Sequence, residues 1–184
     1  MSKRTIAMVV ASMLALTVPA SAQNTGSGGV SLAVGVGAGW ARVSCDICQT
    51  SRDLGPSAFV RVGTAVRPGL RVAAEVTAWT HEVEDEREHL GSLMALLYLH
   101  PNASALYVKG GLGYVGYRAG ADIGMNALGM QFGAGYELRL GGLGLNNYVN
   151  LIGSSFGNLK NEDTVIAEDV STTMLQLGVG ITLR

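Results

Sequence analysis

The sequence predicts an all-β protein, an eight-stranded antiparallel up-and-down β-barrel. Three observations predict it: apolar residues that recur at every second position, connections that alternate between short and long, and an apolar composition without a long apolar helix. Hydrophobic residues make up 48% of the 184 residues, charged residues only 15%, and there are 26 glycines. A spanning helix needs about 18 or more continuous apolar residues, and no segment beyond the N-terminal leader has them. The apolar surface is therefore spread over strands.

The leader stands apart from the barrel. Lys3 and Arg4 precede an apolar run from Ile6 to Leu16, Pro19 breaks it, and Ala20-Ser21-Ala22 supplies small residues at peptidase-site spacing. This pattern predicts a secretory signal peptide over 1–22, cleaved after Ala22, and one domain over 23–184. The alternative is an uncleaved anchor, but the run is short for a span and the small residues sit where cleavage needs them. Losing Lys3 and Arg4 leaves 11 cations against 14 anions, a formal charge of −3. That balance argues against a nucleic-acid partner, which requires a basic face.

The first strand is expected near 30–42, where Leu32, Val34, Val36, Ala38 and Trp40 alternate with Ser31 and small residues. In the second, near 56–66, Ala58, Val60, Val62, Thr64 and Val66 oppose Phe59, Arg61 and Gly63. The third, near 71–81, sets Val72, Ala74, Val76 and Ala78 against Glu75 and Thr77. The fourth and fifth fall near 91–100 and 105–118. The sixth, over 128–140, has the highest contrast: Leu128, Met130, Phe132, Ala134, Tyr136, Leu138 and Leu140 oppose Gly129, Gln131, Gly133, Gly135, Glu137 and Arg139. A helix, with its period of about 3.6 residues, would mix these sets. The seventh, near 146–157, is ambiguous, because Tyr148, Ile152 and Phe156 compete with Val149 and Leu151 for the apolar face. The eighth is clear: Thr173, Leu175, Leu177, Val179, Ile181 and Leu183 alternate with Thr172, Met174, Gln176, Gly178, Gly180 and Thr182.

Between these strands, Arg67-Pro68-Gly69, Pro101-Asn102 and Gly141-Gly142 signal tight turns, whereas 43–55, 82–90, 119–125 and 158–171 read as longer polar loops. Short turns on one side and longer loops on the other describe a transmembrane barrel. Lipid offers no hydrogen-bond partner, so an open sheet edge is not viable there and the sheet must close. A soluble lipocalin-like barrel would instead turn the apolar faces inward. The alternation alone does not decide between them.

Two segments, Leu106-Tyr107-Val108-Lys109-Gly110-Gly111-Leu112-Gly113-Tyr114 and Gly133-Ala134-Gly135-Tyr136-Glu137-Leu138, resemble strands of the small outer-membrane β-barrel superfamily typified by OmpA and OmpX. The resemblance implies localisation in the cell outer membrane and partners among outer-membrane lipid, lipopolysaccharide and the barrel-assembly machinery, with the chain a monomer. Members commonly end in an aromatic residue. This chain ends Ile181-Thr182-Leu183-Arg184, with Arg184 one residue beyond the alternation.

The polar faces carry Arg61, Glu75, Lys109, Glu137 and Arg139, expected as a lumen charge network. Isolated charges in a narrow interior are costly, so they should pair. A structural plug is favoured over an ion path because a barrel of about eight strands fills its interior with side chains. No aromatic cluster is read on the inward face, which weighs against a carrier of small hydrophobic ligands. Cys45 and Cys48 should form a local disulfide in an oxidising compartment. A thioredoxin-type reading lacks its βαβ context, and a zinc site would need His81 and His89.

The long connections are acidic, with Glu82, Glu84, Asp85, Glu86 and Glu88 beside Arg87, and Glu162, Asp163, Glu168 and Asp169 in the last. They suit diffuse divalent-cation bridging to lipopolysaccharide rather than a dedicated metal site, since no EF-hand spacing is present. No cofactor is expected. An enzyme would need a His and Ser on one strand face. None of His81, His89 and His100 has Ser two residues on, and His100 and Ser104 flank a turn. The expected function is a non-enzymatic barrel with a structural, adhesive or envelope-maintenance role. A narrow channel or hydrophobic-ligand carrier is the alternative.

Overall fold

The computed structural model describes residues 29–45, 52–83, 86–101, 105–120, 123–161 and 164–184. Eight antiparallel strands follow one another in chain order: β1 Val30–Ser44, β2 Asp53–Arg67, β3 Leu70–Val83, β4 Glu86–Leu99, β5 Leu106–Ala119, β6 Ile123–Leu140, β7 Leu143–Asn161 and β8 Thr164–Leu183. Each pairs with the next, and β8 returns to β1, so the sheet closes on itself. The seam runs from Leu32↔Leu183 to Ser44↔Ser171.

Period two decides what faces where. The apolar rows Val34 and Val36, Val60 and Val62, Leu93 and Leu97, Leu128 to Phe132, and Leu177 to Ile181 all lie on the outside and are exposed. The opposite rows are buried in the lumen. A belt of this extent is far larger than the apolar patches soluble proteins tolerate. The lipocalin-like alternative therefore fails, because its apolar faces would have to point inward.

The seventh strand resolves the same way. Asn146, Tyr148, Asn150, Ile152 and Ser154 line the lumen, whereas Leu145, Val149 and Leu151 face out. Tight turns stand where expected at Pro68-Gly69 and Gly141-Gly142, with Gly69 at φ 78° and Gly141 at φ 65°. Those left-handed conformations suit glycine because it has no Cβ.

The long loops are a correction. Residues 82–90, 119–125 and 158–171 are mostly strand, since β3 runs to Val83, β4 starts at Glu86, β6 starts at Ile123, and β7 and β8 continue to Asn161 and from Thr164. Beyond the apolar belt both sides of a strand are wet, so polar residues there are compatible with pairing. In the last hairpin three register shifts also erase the alternation. Ser154↔Thr172 is followed by Gly157↔Val170, Leu159↔Ala167 and Lys160↔Val165, an extra residue first on β7 and then twice on β8. Asp169, at φ 52°, lies within the second bulge. Inward positions thus switch from Ser154 to Gly157 and Leu159, and period two is lost.

Candidate functional site

The lumen is the site the sequence singles out, and Glu75 is its centre. On β3, Glu75 sits opposite Arg61 of β2. The Arg61 Nε donates to Glu75 Oε2 at 3.0 Å, and Lys109 Nζ reaches both carboxylate oxygens at 2.7 Å. Gln131 Nε2 donates to Oε1 at 2.6 Å and the Tyr98 hydroxyl to Oε2 at 3.0 Å. Four side chains from β2, β4, β5 and β6 thus converge on one carboxylate. Charged groups removed from water in this way hold together only when their hydrogen-bonding capacity is met as well as their charge.

Aromatic rings complete the closure. The Arg61 guanidinium carbon lies 4.6 Å from the Phe59 ring centroid and 4.8 Å from that of Tyr98. Phe59 meets Tyr148 edge-on at 4.9 Å, a favourable quadrupole arrangement. Inward glycines make room for these rings. A Cβ on Gly135 would overlap the Tyr107 hydroxyl, and one on Gly35 the Phe59 ring.

Towards the loop end, Asn150 Nδ2 donates to Gln176 Oε1 at 2.9 Å, and Gln176 Nε2 donates to Ser57 Oγ at 3.1 Å. Beyond them an apolar cluster fills the barrel, including Trp79, Leu90, Met94, Met125, Ile152 and Met174. The interior is therefore richer in aromatic and apolar side chains than the sequence reading of glycine and charge.

The expected five-residue network divides in two. Arg61, Glu75 and Lys109 come together. Glu137 belongs to a second group at the turn end, where Arg184 ion-pairs with it and Thr182 Oγ1 donates to it at 3.4 Å. Arg139 is a correction: its side chain is 53% exposed and lies 3.9 Å from Glu137, at the barrel mouth rather than in the lumen. Parity gives the face on which a residue lies, and Arg139 lies one step too far along it. Sequence reasoning missed Tyr98, Gln131 and Arg184. Gln131 shares the polar face of 128–140, but Tyr98 is hidden in a leucine-rich run.

Beside this mouth His100 is pushed down to about 4 by burial and by Arg71, Arg139, Arg184 and Arg61. The remaining hollow there measures about 20 Å³, space for roughly one water. The three histidines do not assemble a site. His81 Nδ1 lies 2.9 Å from the Leu54 carbonyl, His89 faces outward, and His100 is at the opposite end. Ser104 and Cys48 lie outside the described residues, as do residues 1–28, Glu84, Asp85, Glu162 and Asp163. Cys45 ends β1's approach to its loop and packs partly buried against the apolar cluster. Among the described residues no group of three or more His, Cys, Asp or Glu side chains is placed to hold a metal ion.

The decisive comparison is with protein families, where the model of the outer membrane protein β-barrel domain matches residues 8–182. The chain belongs to that family. As a member of the outer-membrane β-barrel family it is an outer-membrane protein, which agrees with the exposed apolar belt. Solved structures share its fold. Neisserial surface protein A is 16% identical, covers 84% of this chain and 98% of its own, and superposes with a TM-score of 0.55. Ail, the attachment invasion locus protein of Yersinia pestis, is 12% identical, covers 83% and 98%, and gives 0.53. A search of curated proteins by sequence found no significant match.

Proposed function

We propose that this family member is a non-enzymatic, non-conducting barrel that serves the outer membrane as a structural and surface-display element, with an adhesive or envelope-maintenance role. The observation that carries this reading is the convergence of Arg61, Lys109, Gln131 and Tyr98 on the fully buried Glu75. An ion path would need a continuous opening along the axis, and the axis holds a solvent-inaccessible charge cluster with Trp79, Met94 and Met174 packed beyond it. The hollow at the turn-end mouth, about 20 Å³, has no room for a hydrophobic ligand.

On this reading the leader is removed after Ala22, both chain ends lie in the periplasm, and the extended hairpins β1–β2, β3–β4, β5–β6 and β7–β8 project outward. Cys45 and Cys48 close a disulfide that tightens the first of them. Lipopolysaccharide and neighbouring lipids surround a monomer inserted by the barrel-assembly machinery.

The test is planar-bilayer recording of the purified full-length mature barrel. The expected result is no stable conductance. Regular single-channel steps that disappear on substitution of Glu75 would replace the plug with a narrow channel.

A further inference from the structure

The outer face of β4, β5 and β6 carries a feature that the lumen does not explain. Strand register lines up three successive outward rungs. The lowest is apolar, Leu93↔Tyr114↔Leu128. The next is small, Gly91↔Gly116↔Asn126. The highest is basic, His89↔Arg118↔Gly124↔Lys160. All of these residues except Leu128 line a groove of about 710 Å³ at the upper edge of the apolar belt.

Its glycines differ from those in the lumen. A Cβ on Gly111 or Gly113 would strike the backbone of β4, so those positions are glycine for internal reasons. A Cβ on Gly91 would meet only the Thr77 carbonyl at 3.7 Å, and one on Gly124 nothing nearer than 3.7 Å. Neighbouring groups leave room for a side chain at both. The hollow is therefore not a by-product of tight packing.

Charge shows what the hollow suits. Among the described residues none of His89, Arg118 and Lys160 is in an ion pair. Glu88, next to His89 on β4, is turned inward, where it accepts from the Tyr117 hydroxyl at 2.8 Å. Asp122, Glu162 and Asp163 lie outside the described residues. Arginine and lysine at one level provide the donors that phosphate oxygens need. Tyr114, 64% exposed, stands one rung below, and tyrosine is a residue that favours the membrane interface.

We propose that this groove seats the phosphorylated sugar headgroup of an outer-leaflet glycolipid. Its phosphate lies against Arg118 and Lys160, its sugar over Gly91 and Gly116, and its acyl chain along Leu93 and Tyr114. A bare phosphodiester would fill only a small part of the hollow, which favours a sugar-bearing headgroup over an ordinary phospholipid. The proposal rests on the orientation given above, with the extended hairpins outside.

The experiment is native mass spectrometry of the full mature barrel in neutral detergent, titrated with bisphosphorylated lipid A. Arg118→Glu/Lys160→Glu should weaken retention roughly tenfold or more, the equivalent of at least one charge-assisted contact. Gly91→Leu, which fills the hollow without an internal clash, should do the same while leaving every cation in place. Dephosphorylated lipid A should bind the parent as weakly as bisphosphorylated lipid A binds the charge-reversed variant. Arg42→Glu/Arg52→Glu makes the same charge change outside the groove and should leave retention unchanged.

Equal retention by parent and both groove variants would overturn the proposal, as would an equal loss in the Arg42/Arg52 control, which would make the attraction diffuse. Phosphatidylglycerol held as tightly as lipid A would overturn the glycolipid assignment. None of these substitutions faces the lumen, so conductance tests the plug independently. Loss of lipid binding and appearance of conductance are distinguishable failures.

Discussion

Glu75 Oε1 and Lys109 Nζ lie 2.7 Å apart across the lumen, 34 residues apart in sequence, with neither side chain exposed to solvent. Arg61 shares the same carboxylate. Removing the anion alone leaves two buried cations without their shared counterion. Glu75→Gln should destabilise the barrel by about 3–5 kcal/mol, the usual effect of breaking a buried ion pair from one side. Glu75→Leu combined with Lys109→Met should recover part of that loss. Urea unfolding in detergent or vesicles measures both, and a Glu75→Gln variant as stable as the parent would contradict a tightly coupled cluster.

Phe132 and Leu177 face lipid, at 56% and 42% exposure. Phe132→Arg and Leu177→Arg should each cost about 2–4 kcal/mol if near the bilayer midplane, with less effect nearer the interfaces. Folding yield into vesicles and the urea midpoint report the difference. Parent-like stability in both variants would mean that these faces do not meet lipid.

His100 provides a pH dependence with a defined sign. Its folded-state value, about 4, lies below the ordinary 6.5, so folding favours the neutral ring. Stability from this group is fully present above about pH 6.5 and declines as pH falls towards 4. His100→Gln should flatten the slope of the urea midpoint between pH 7 and 5. An unchanged slope would assign the acid sensitivity to other groups, with the Glu137–Arg184 pair the first to examine.

Cys45 and Cys48 should carry a disulfide after export. Intact mass of the mature protein, alkylated with and without reductant, is expected to show no alkylation until reductant is added. Two labelled thiols in the unreduced sample would remove the bond, and zinc at one equivalent would bring back the metal reading.

Much of this architecture was legible because lipid imposes a single rule on every outward position. Leu128 to Leu140 and Thr173 to Leu183 keep apolar residues at every second place, and the barrel confirms both. Face was readable, but depth was not. Arg139 has the parity of Glu137, yet it emerges at the mouth, because period two carries no information about height along the axis. Register was also hidden. Nothing local tells Glu75 that it will meet Arg61, Lys109, Tyr98 and Gln131 from four strands. Above the belt the rule relaxes. The acidic run around Glu82 and Glu88 looked like loop because water accepts polar residues on both sides of a strand. The bulges around Gly157 and Asp169 shift the inward set by one, so no single period describes 158–171.

The seam between β1 and β8 sets the order in which this chain becomes a protein. Val34 pairs with Ile181 and Ser44 with Ser171, so the first strand's outer row of hydrogen bonds waits for the last strand to be made. The other seven strand contacts are between sequence neighbours and zip locally. The eighth spans nearly the whole chain and has the high contact order that slows folding. Until it forms, two unsatisfied edges remain, each a template for another chain. The chain must therefore be kept apart from its copies until β8 is available to pair with β1. A chain truncated within β8 is expected to aggregate rather than insert as a smaller barrel.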